Sequence, residues 1–435
     1  MDAGVIALVL FVTMLALLAS GIWVAPTLLA VGFVALAFFS PAPAGSLLAT
    51  TVWDASWNWA LTALPLFVWM GEILFRTRLS SDMFNGLAPW LHRLPGGLLH
   101  VNIVGCGVMA AVAGSSAVTC ATVGRMSIPE LRKAGYDERL SIGTLAGSGT
   151  LGLLIPPSIM LIVYGVIAQQ SISRMFIAGV LPGIMIIAIF MLYVIVRARL
   201  NPSLAPSRGT RSSLRQKLWA SRLLLPVLAL VVAVIGSIYG GLATPTEAAT
   251  VGVLGSLLLA AWSRSLSWQS FMDSLMGAVR TSCMIAFILA GAAFLSLAMG
   301  FTGVPAVLAS YVNDWGLSPT MLLVVLTLLY ICLGCFLDGV SMMVVTAAVV
   351  LPMVRDAGID LVWFGVFTVI VVEMAQITPP VGFNLFVLQG MTGRDILQVT
   401  RAALPFFCLM LLGIVIITLI PGIVTWPVQY MINRG

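Results

Sequence analysis

Apolar residues run along this chain in stretches close to or above ~18 residues, the length of a membrane-crossing helix, from near Gly4 to a last run ending at about Leu419. Two of these runs are broken in the middle. Residues 145–164 carry Pro156-Pro157, and residues 364–388 carry Thr378-Pro379-Pro380-Val381-Gly382. Paired prolines remove two backbone donors and clash with the preceding turn, so each run is expected to be two half-helices joined by an unwound segment. Inside a bilayer such backbone is tolerated only where it meets protein or a water-filled cavity, which marks both breaks as candidate working sites.

Residues 101–123 and 319–352 are also interrupted, at Gly114-Ser115-Ser116 and across Gly334 to Gly339. Glycine frees the backbone and serine competes for its hydrogen bonds, so such a run can be one kinked span or a re-entrant hairpin. Residues 76–93 and 125–139 are both basic, and placing both on the cytoplasmic side favours a hairpin between them. A shift of 223 residues lays Pro129 on Pro352, Arg132 on Arg355, Gly135 on Gly358, Asp137 on Asp360, Pro156-Pro157 on Pro379-Pro380 and Pro182 on Pro405. A shift of 220 lays Gly114 on Gly334. The agreement falls on residues that set backbone shape, as expected of an inverted repeat.

The resulting plan has a first repeat over 1–196, with scaffold helices in 4–75, a hairpin at 101–124, a broken helix at 140–169 and a helix at 176–196. A basic cytoplasmic linker follows at 197–222. The second repeat, 223–421, has scaffold helices in 223–300, a hairpin at 319–350, a broken helix at 362–390 and a helix at 402–420, and a tail covers 422–435. Residues 40–59 read as a connection ending in Trp53, Trp57 and Trp59, and 262–280 as a cytoplasmic connection.

Composition agrees. The 435 residues are 60% hydrophobic and 8% charged, against roughly 25% charged in a soluble domain, so a polytopic membrane protein without a large soluble domain is expected. Met1-Asp2-Ala3 lacks a basic n-region, and the first span is expected to be retained. Of the 21 Lys and Arg, 15 lie in residues 1–222; seven of these fall between 197 and 222, where there is no acid. In short connections these charges read as topology signals and not as a nucleic-acid surface, and counting crossings puts both chain ends outside. The six cysteines, Cys332-x2-Cys335 included, sit in apolar context and read as packing residues.

Unwound helices expose carbonyls and half-helix ends, which suit a desolvated Na⁺ and a carboxylate. The first half offers Ser115, Ser116 and Thr119 with Gly147-Ser148-Gly149-Thr150; the second offers Gly334, Asp338 and Thr346 with Thr378 through Asn384. No cluster of carboxylates, Cys or His speaks for Zn²⁺ or Ca²⁺. Glu72, four residues before Arg76, and Glu247, after Pro245-Thr246, read as structural acids, and Asp338 as functional. Glu373 fits either a buried structural partner or a coupling residue. Gly143-x3-Gly147 and Gly236-x3-Gly240 permit close helix contact. No nucleophile with a nearby base appears at a common depth, so an enzyme is not expected.

At PLF (65–67), MGEILFR (70–76), LPGGL (94–98), GSSAVTCATVG (114–124), IPPS (155–158) and ITPPVGFNLFV (377–387) the chain resembles the large permease subunit of tripartite ATP-independent periplasmic (TRAP) transporters, the DctM-like family. The resemblance implies an all-α, inverted-repeat, elevator-type transporter with two re-entrant hairpins and two Pro-Pro-broken helices. It implies a bacterial inner-membrane protein, multi-pass, with both termini periplasmic. The cargo it implies is a small organic acid carried with at least two Na⁺ and no organic cofactor. A periplasmic solute-binding protein and a separate small four-helix membrane subunit are the implied partners, with membrane lipids around them.

By the family's pattern, one Na⁺ site takes Ser115, Ser116, Gly147 and Thr150, and the other Gly334, Asp338, Thr378 and Gly382. The solute falls to the same tips and breaks, at Ser115, Ser116, Gly149, Thr150, Pro156 and Pro157 and at Thr378, Pro379, Pro380, Gly382 and Asn384. Members often carry Asp-Pro where this chain has Asp338-Gly339. No basic clamp lies in the core, Arg125 and Arg355 being the nearest candidates. Glu373 and Asp338 keep open an alternative, a proton-coupled carrier of organic anions.

Overall fold

The computed structural model describes residues 3–77, 79–206, 214–307, 310, 318–334, 337–379 and 382–432, and among them there are helices and turns but no strand. In the first half the helices are α1 (Ala3–Ala19), α2 (Val24–Phe39), α3 (Ala44–Ser56), α4 (Ala63–Arg76), α5 (Leu79–Leu91), α6 (Leu98–Ala113), α7 (Ser116–Lys133), α8 (Glu138–Gly149), α9 (Ile159–Ile167) and α10 (Ile172–Leu200). In the second they are α11 (Leu214–Tyr239), α12 (Pro245–Trp262), α13 (Trp268–Thr302), α14 (Pro319–Leu333), α15 (Gly339–Asp356), α16 (Leu361–Ala375), α17 (Phe383–Thr392), α18 (Ile396–Leu419) and α19 (Gly422–Ile432). Six of them, α10 to α13, α15 and α18, are long and apolar enough to cross a membrane.

The 223-residue shift carries α7 onto the bounds of α15, and the start of α8 onto the start of α16. Local chemistry explains why. Asp137 and Asp360 each cap the helix that follows, accepting from the backbone N–H of Leu140 and Trp363 at 2.7 Å. Gly135 and Gly358 adopt φ of 76° and 70°, the left-handed turn that lets the preceding helix stop.

Packing partners are exchanged between the repeats, as a two-fold relation requires. Helix α2 packs on α13 while α12 packs on α4; α8 packs on α18 while α16 packs on α10; α7 packs on α17 while α15 packs on α9. The Gly143-x3-Gly147 pair serves the α8–α18 contact: a Cβ on Gly143 would strike the Ala402 carbonyl, and one on Gly147 would stand 2.6 Å from the Cβ of Phe406. Gly236 has open space instead, with nothing within 4 Å. At the surface, Arg132 and Arg394 both reach Glu138, at 2.6 and 2.5 Å, tying the start of α8 to the loop after α17. The hydrogen bond from Arg394, aided by Arg132, holds the Glu138 carboxyl below its ordinary range.

Several connections are helical where loops were expected. Residues 44–56 form α3, because Pro43 sits at its N-cap and no proline follows. Residues 268–280 continue without a break into α13, a helix of 35 residues. The end of the basic linker is the first part of α11, where Lys217 is buried with its Nζ 5.4 Å from the centre of the Trp90 ring. The expected tail folds as α19 and packs on α10, burying Val424 and Val428. Cys335 lies outside the described residues.

Candidate functional site

Helix α6 ends because Gly114 turns left-handed at φ 57°, and α7 begins immediately, with Ser115 at its N-cap. The first break lies close behind this tip. After α8 a tight turn, Thr150–Leu153, brings Gly152 so near that a Cβ there would stand 2.7 Å from the carbonyl of Ser115 and the Cα of Ser116. In the second repeat Asp338 caps α15, its Oδ2 accepting from the N–H of Val340 and Ser341 at 3.2 and 3.3 Å. The second break follows Ala375. Thr378 Oγ1 donates back to the Ala375 carbonyl at 2.7 Å, the N–H of Asn384 reaches the Gln376 carbonyl at 3.3 Å, and Gly382 starts α17.

These parts enclose a cavity of about 430 Å³. Its lining includes the first tip, residues 114–118, Asp338, Gly339 and Val340 of the second tip, and Gln376, Phe383 and Asn384 of the second break. Helices α4 and α13 add Glu72, Phe75, Thr281 and Met284 to the lining, so residues of both halves of the chain meet here. Glu72 is turned to Arg76, Oε2 to Nε at 2.9 Å, and no Lys or Arg lines the space among the described residues.

The electrostatics come from helix ends. The α7 N-terminus lacks a side-chain cap because Ser115 makes no such bond, and the α17 N-terminus lacks one because Gly382 has no side chain. Both open on the cavity with a partial positive charge. The α15 N-terminus is already capped by the Asp338 carboxylate, and that of α9 by the Ser158 hydroxyl, which accepts from Leu161 at 3.3 Å. Asn384 stands at the open end of α17, fully buried, with neither its amide nitrogen nor its oxygen hydrogen-bonded. A buried, unpaired amide costs about 1–3 kcal/mol, so it marks a place for a polar ligand.

Of the residues singled out in the sequence, Ser115, Ser116, Asp338 and Asn384 line the cavity. Thr378 and Gly382 shape the turn behind it. Gly147, Gly149 and Thr150 are directed elsewhere: Gly147 packs on Phe406, Gly149 on Cys120, and Thr150 Oγ1 donates to the Gly147 carbonyl at 2.6 Å beside the sulfur of Met410. That segment reaches the tip through Gly152. Pro156 and Pro157 break the helix without lining the cavity, and Gly334 packs on Ala375. Pro379 does not line the cavity, Pro380 lies outside the described residues, and Arg125 and Arg355 are exposed away from it.

Gln376 and Thr281 were not anticipated. Gln376 had a signal, being an amide two residues before Thr378 in an apolar run. Glu373, one turn earlier, is fully buried; its Oε2 accepts from Ser116 Oγ at 2.6 Å and its Oε1 has no partner. Glu247 forms a reciprocal cap with Thr244 and belongs to structure. The hydroxyls and carbonyls at the tips fit a monovalent cation, and the described residues hold no group of three or more His, Cys, Asp or Glu that could bind a metal ion.

Residues 11–423 match the family described as the tripartite ATP-independent periplasmic transporter, DctM component. The chain is 32% identical over 395 residues to the C4-dicarboxylate TRAP transporter large permease protein DctM of Pseudomonas aeruginosa, covering 90% of this chain and 91% of that one. It is 30% identical to the sialic acid TRAP transporter permease protein SiaT of Haemophilus influenzae, covering 86% of this chain and 61% of that longer one. Both are named transporter permeases and not enzymes. The solved YdaH transporter of Alcanivorax borkumensis shares the fold, with a TM-score of 0.65 at 16% identity over 96% of this chain and 99% of that one.

Proposed function

This chain belongs to the DctM-component family of tripartite ATP-independent periplasmic transporters, and from that premise we propose that it imports a small organic acid, driven by Na⁺, through the cavity between its two tips. The observation that carries the reading is the pair of uncapped helix N-termini, α7 and α17, opening on one cavity beside the unpaired amide of Asn384. Two such ends from opposite repeats hold a carboxylate without any Lys or Arg. Asn384 and Gln376 read the polar groups near it. Hydroxyls and carbonyls at the tips take Na⁺, and the Asp338 carboxylate supplies negative charge at the second tip. Helices α6 to α9 and α14 to α17 move as the transport part against a scaffold containing α2, α4, α12 and α13.

The chain works in a bacterial inner membrane with a separate small membrane subunit and a periplasmic binding protein. Its basic connections lie in the cytoplasm and its two ends in the periplasm. The test is solute uptake into proteoliposomes holding this chain and its small subunit, with the binding protein outside, an inward Na⁺ gradient and no ATP. Wild type takes up solute only with all three proteins and Na⁺. Asn384→Leu loses uptake by tenfold or more while melting no lower than wild type, since it removes a buried amide that has no partner. The buried, half-paired carboxyl of Glu373 favours one rival, a proton-driven carrier. Uptake that follows a proton gradient and ignores Na⁺ selects it.

A further inference from the structure

Serine and threonine side chains in the core of this protein mostly donate to their own helix. Ser148 bonds the Thr144 carbonyl, Thr150 that of Gly147, Thr346 that of Met342 and Thr392 that of Leu388. Ser116 cannot do so. It is the first residue of α7, and the carbonyls three and four places back belong to α6, on the other side of the Gly114 turn. Its proton goes instead to Glu373 Oε2, 257 residues away in the other repeat.

That bond is made once. Under the 223-residue shift the counterparts of Ser116 and Glu373 are Gly339 and Thr150, and Thr150 bonds its own helix. Glu373 reaches α7 from the last turn of α16, in a place where an apolar side chain of similar size would be easier to bury. No lysine, arginine or histidine hydrogen-bonds it among the described residues.

We propose that Glu373 is a positioning residue for the first cation site, accepting the Ser116 hydroxyl proton across the repeats so that the Ser116 lone pairs face a monovalent cation at the tip. The inference rests on the Na⁺-coupled reading. A hydroxyl has one proton and two lone pairs, and only the lone pairs bind a cation. With its proton anchored in the protein, Ser116 is held as an acceptor toward the cavity it lines. The role requires an acceptor at position 373 and not a charge.

The test is the Na⁺ dependence of thermal unfolding of the full chain, purified with choline replacing Na⁺ and titrated back, since an ion bound to the native state raises the midpoint. Glu373→Gln keeps an acceptor oxygen, and its half-saturating Na⁺ stays within about threefold of wild type. Glu373→Met removes the acceptor and raises half-saturation about tenfold, the worth of one such bond. Ser116→Ala does the same, and combining it with Glu373→Met adds nothing further. Unchanged Na⁺ dependence in a folded Glu373→Met protein overturns the inference, as does a Glu373→Gln protein as weak as Glu373→Met. If the wild type shows no Na⁺ response and its uptake is not driven by Na⁺, the Na⁺-coupled reading itself fails.

Discussion

Adding one methyl group at Gly152 should disable the first tip without touching any polar atom. A Cβ there would stand 2.7 Å from the carbonyl carbon and oxygen of Ser115 and from the Cα of Ser116, about 0.7 Å short of the 3.4 Å at which ordinary contact begins. All three atoms are backbone, so no rotamer relieves the clash. The tip cannot retreat freely either, since Gly114 sits buried against Ile159 and near the Pro157 carbonyl. Overpacking of this kind costs about 1–3 kcal/mol, and a displacement of several tenths of an ångström exceeds the ~0.5 Å within which binding groups must be held. Gly152→Ala is therefore expected to lower Na⁺-driven uptake in proteoliposomes by tenfold or more and to lower the melting midpoint. Gly236→Ala is the control: nothing lies within 4 Å of its Cβ, and a helical glycine replaced by alanine gains up to about 1 kcal/mol. A Gly152→Ala protein that transports and melts like wild type would refute the close approach of the first break to the tip.

Asp338→Ala should destabilise by about 1 kcal/mol through loss of the α15 cap, whereas Asp338→Ser restores the melting midpoint but not the Na⁺ affinity of uptake. Full transport by Asp338→Ser would reduce this residue to a cap. Arg394→Gln tests the surface tie to Glu138, whose carboxyl is held below its ordinary value of 4.5. A lowered folded-state value contributes stability above pH 4.5 that is lost as pH falls through it. The melting difference between wild type and Arg394→Gln should thus be present at pH 7 and shrink below pH 4.5; a difference independent of pH would count against the tie.

The backbone plan was legible because it rests on residues whose effect is local. Paired prolines break a helix wherever they stand, Asp137 and Asp360 cap whatever follows, and Gly114 permits a reversal in one step. Helical continuity over 268–280 was not legible, because polar residues and Arg280 mark a connection as readily as the exposed end of a long helix. The Gly143 and Gly236 pairs look alike in sequence, and only the presence of α18 against one of them separates packing from open space. Thr150 looked like a ligand by its place in a break, but a threonine can satisfy its hydroxyl on its own helix, and this one does. The Glu373 contact joins residues too far apart for any local pattern to reveal.

Duplication supplies the two halves with the same backbone, and a single aligned pair of residues gives their tips opposite character. The 223-residue shift places Ser115 on Asp338, each at the N-cap of the helix leaving its tip. A helix N-terminus carries roughly +0.5 of a charge. Ser115 leaves that charge uncompensated, so the backbone N–H groups at the start of α7 favour an anion, and a cation at the same tip depends on oxygen lone pairs such as those of Ser116. Asp338 lays a full negative charge on the same kind of end, leaving about −0.5 at the second tip, which attracts a cation. Exchanging the two caps would pair a carboxylate with the end of α7 and withdraw it from the end of α15. The two repeats have therefore diverged at the cap of the helix leaving the tip, even as α7 and α15 keep matching bounds under the same shift.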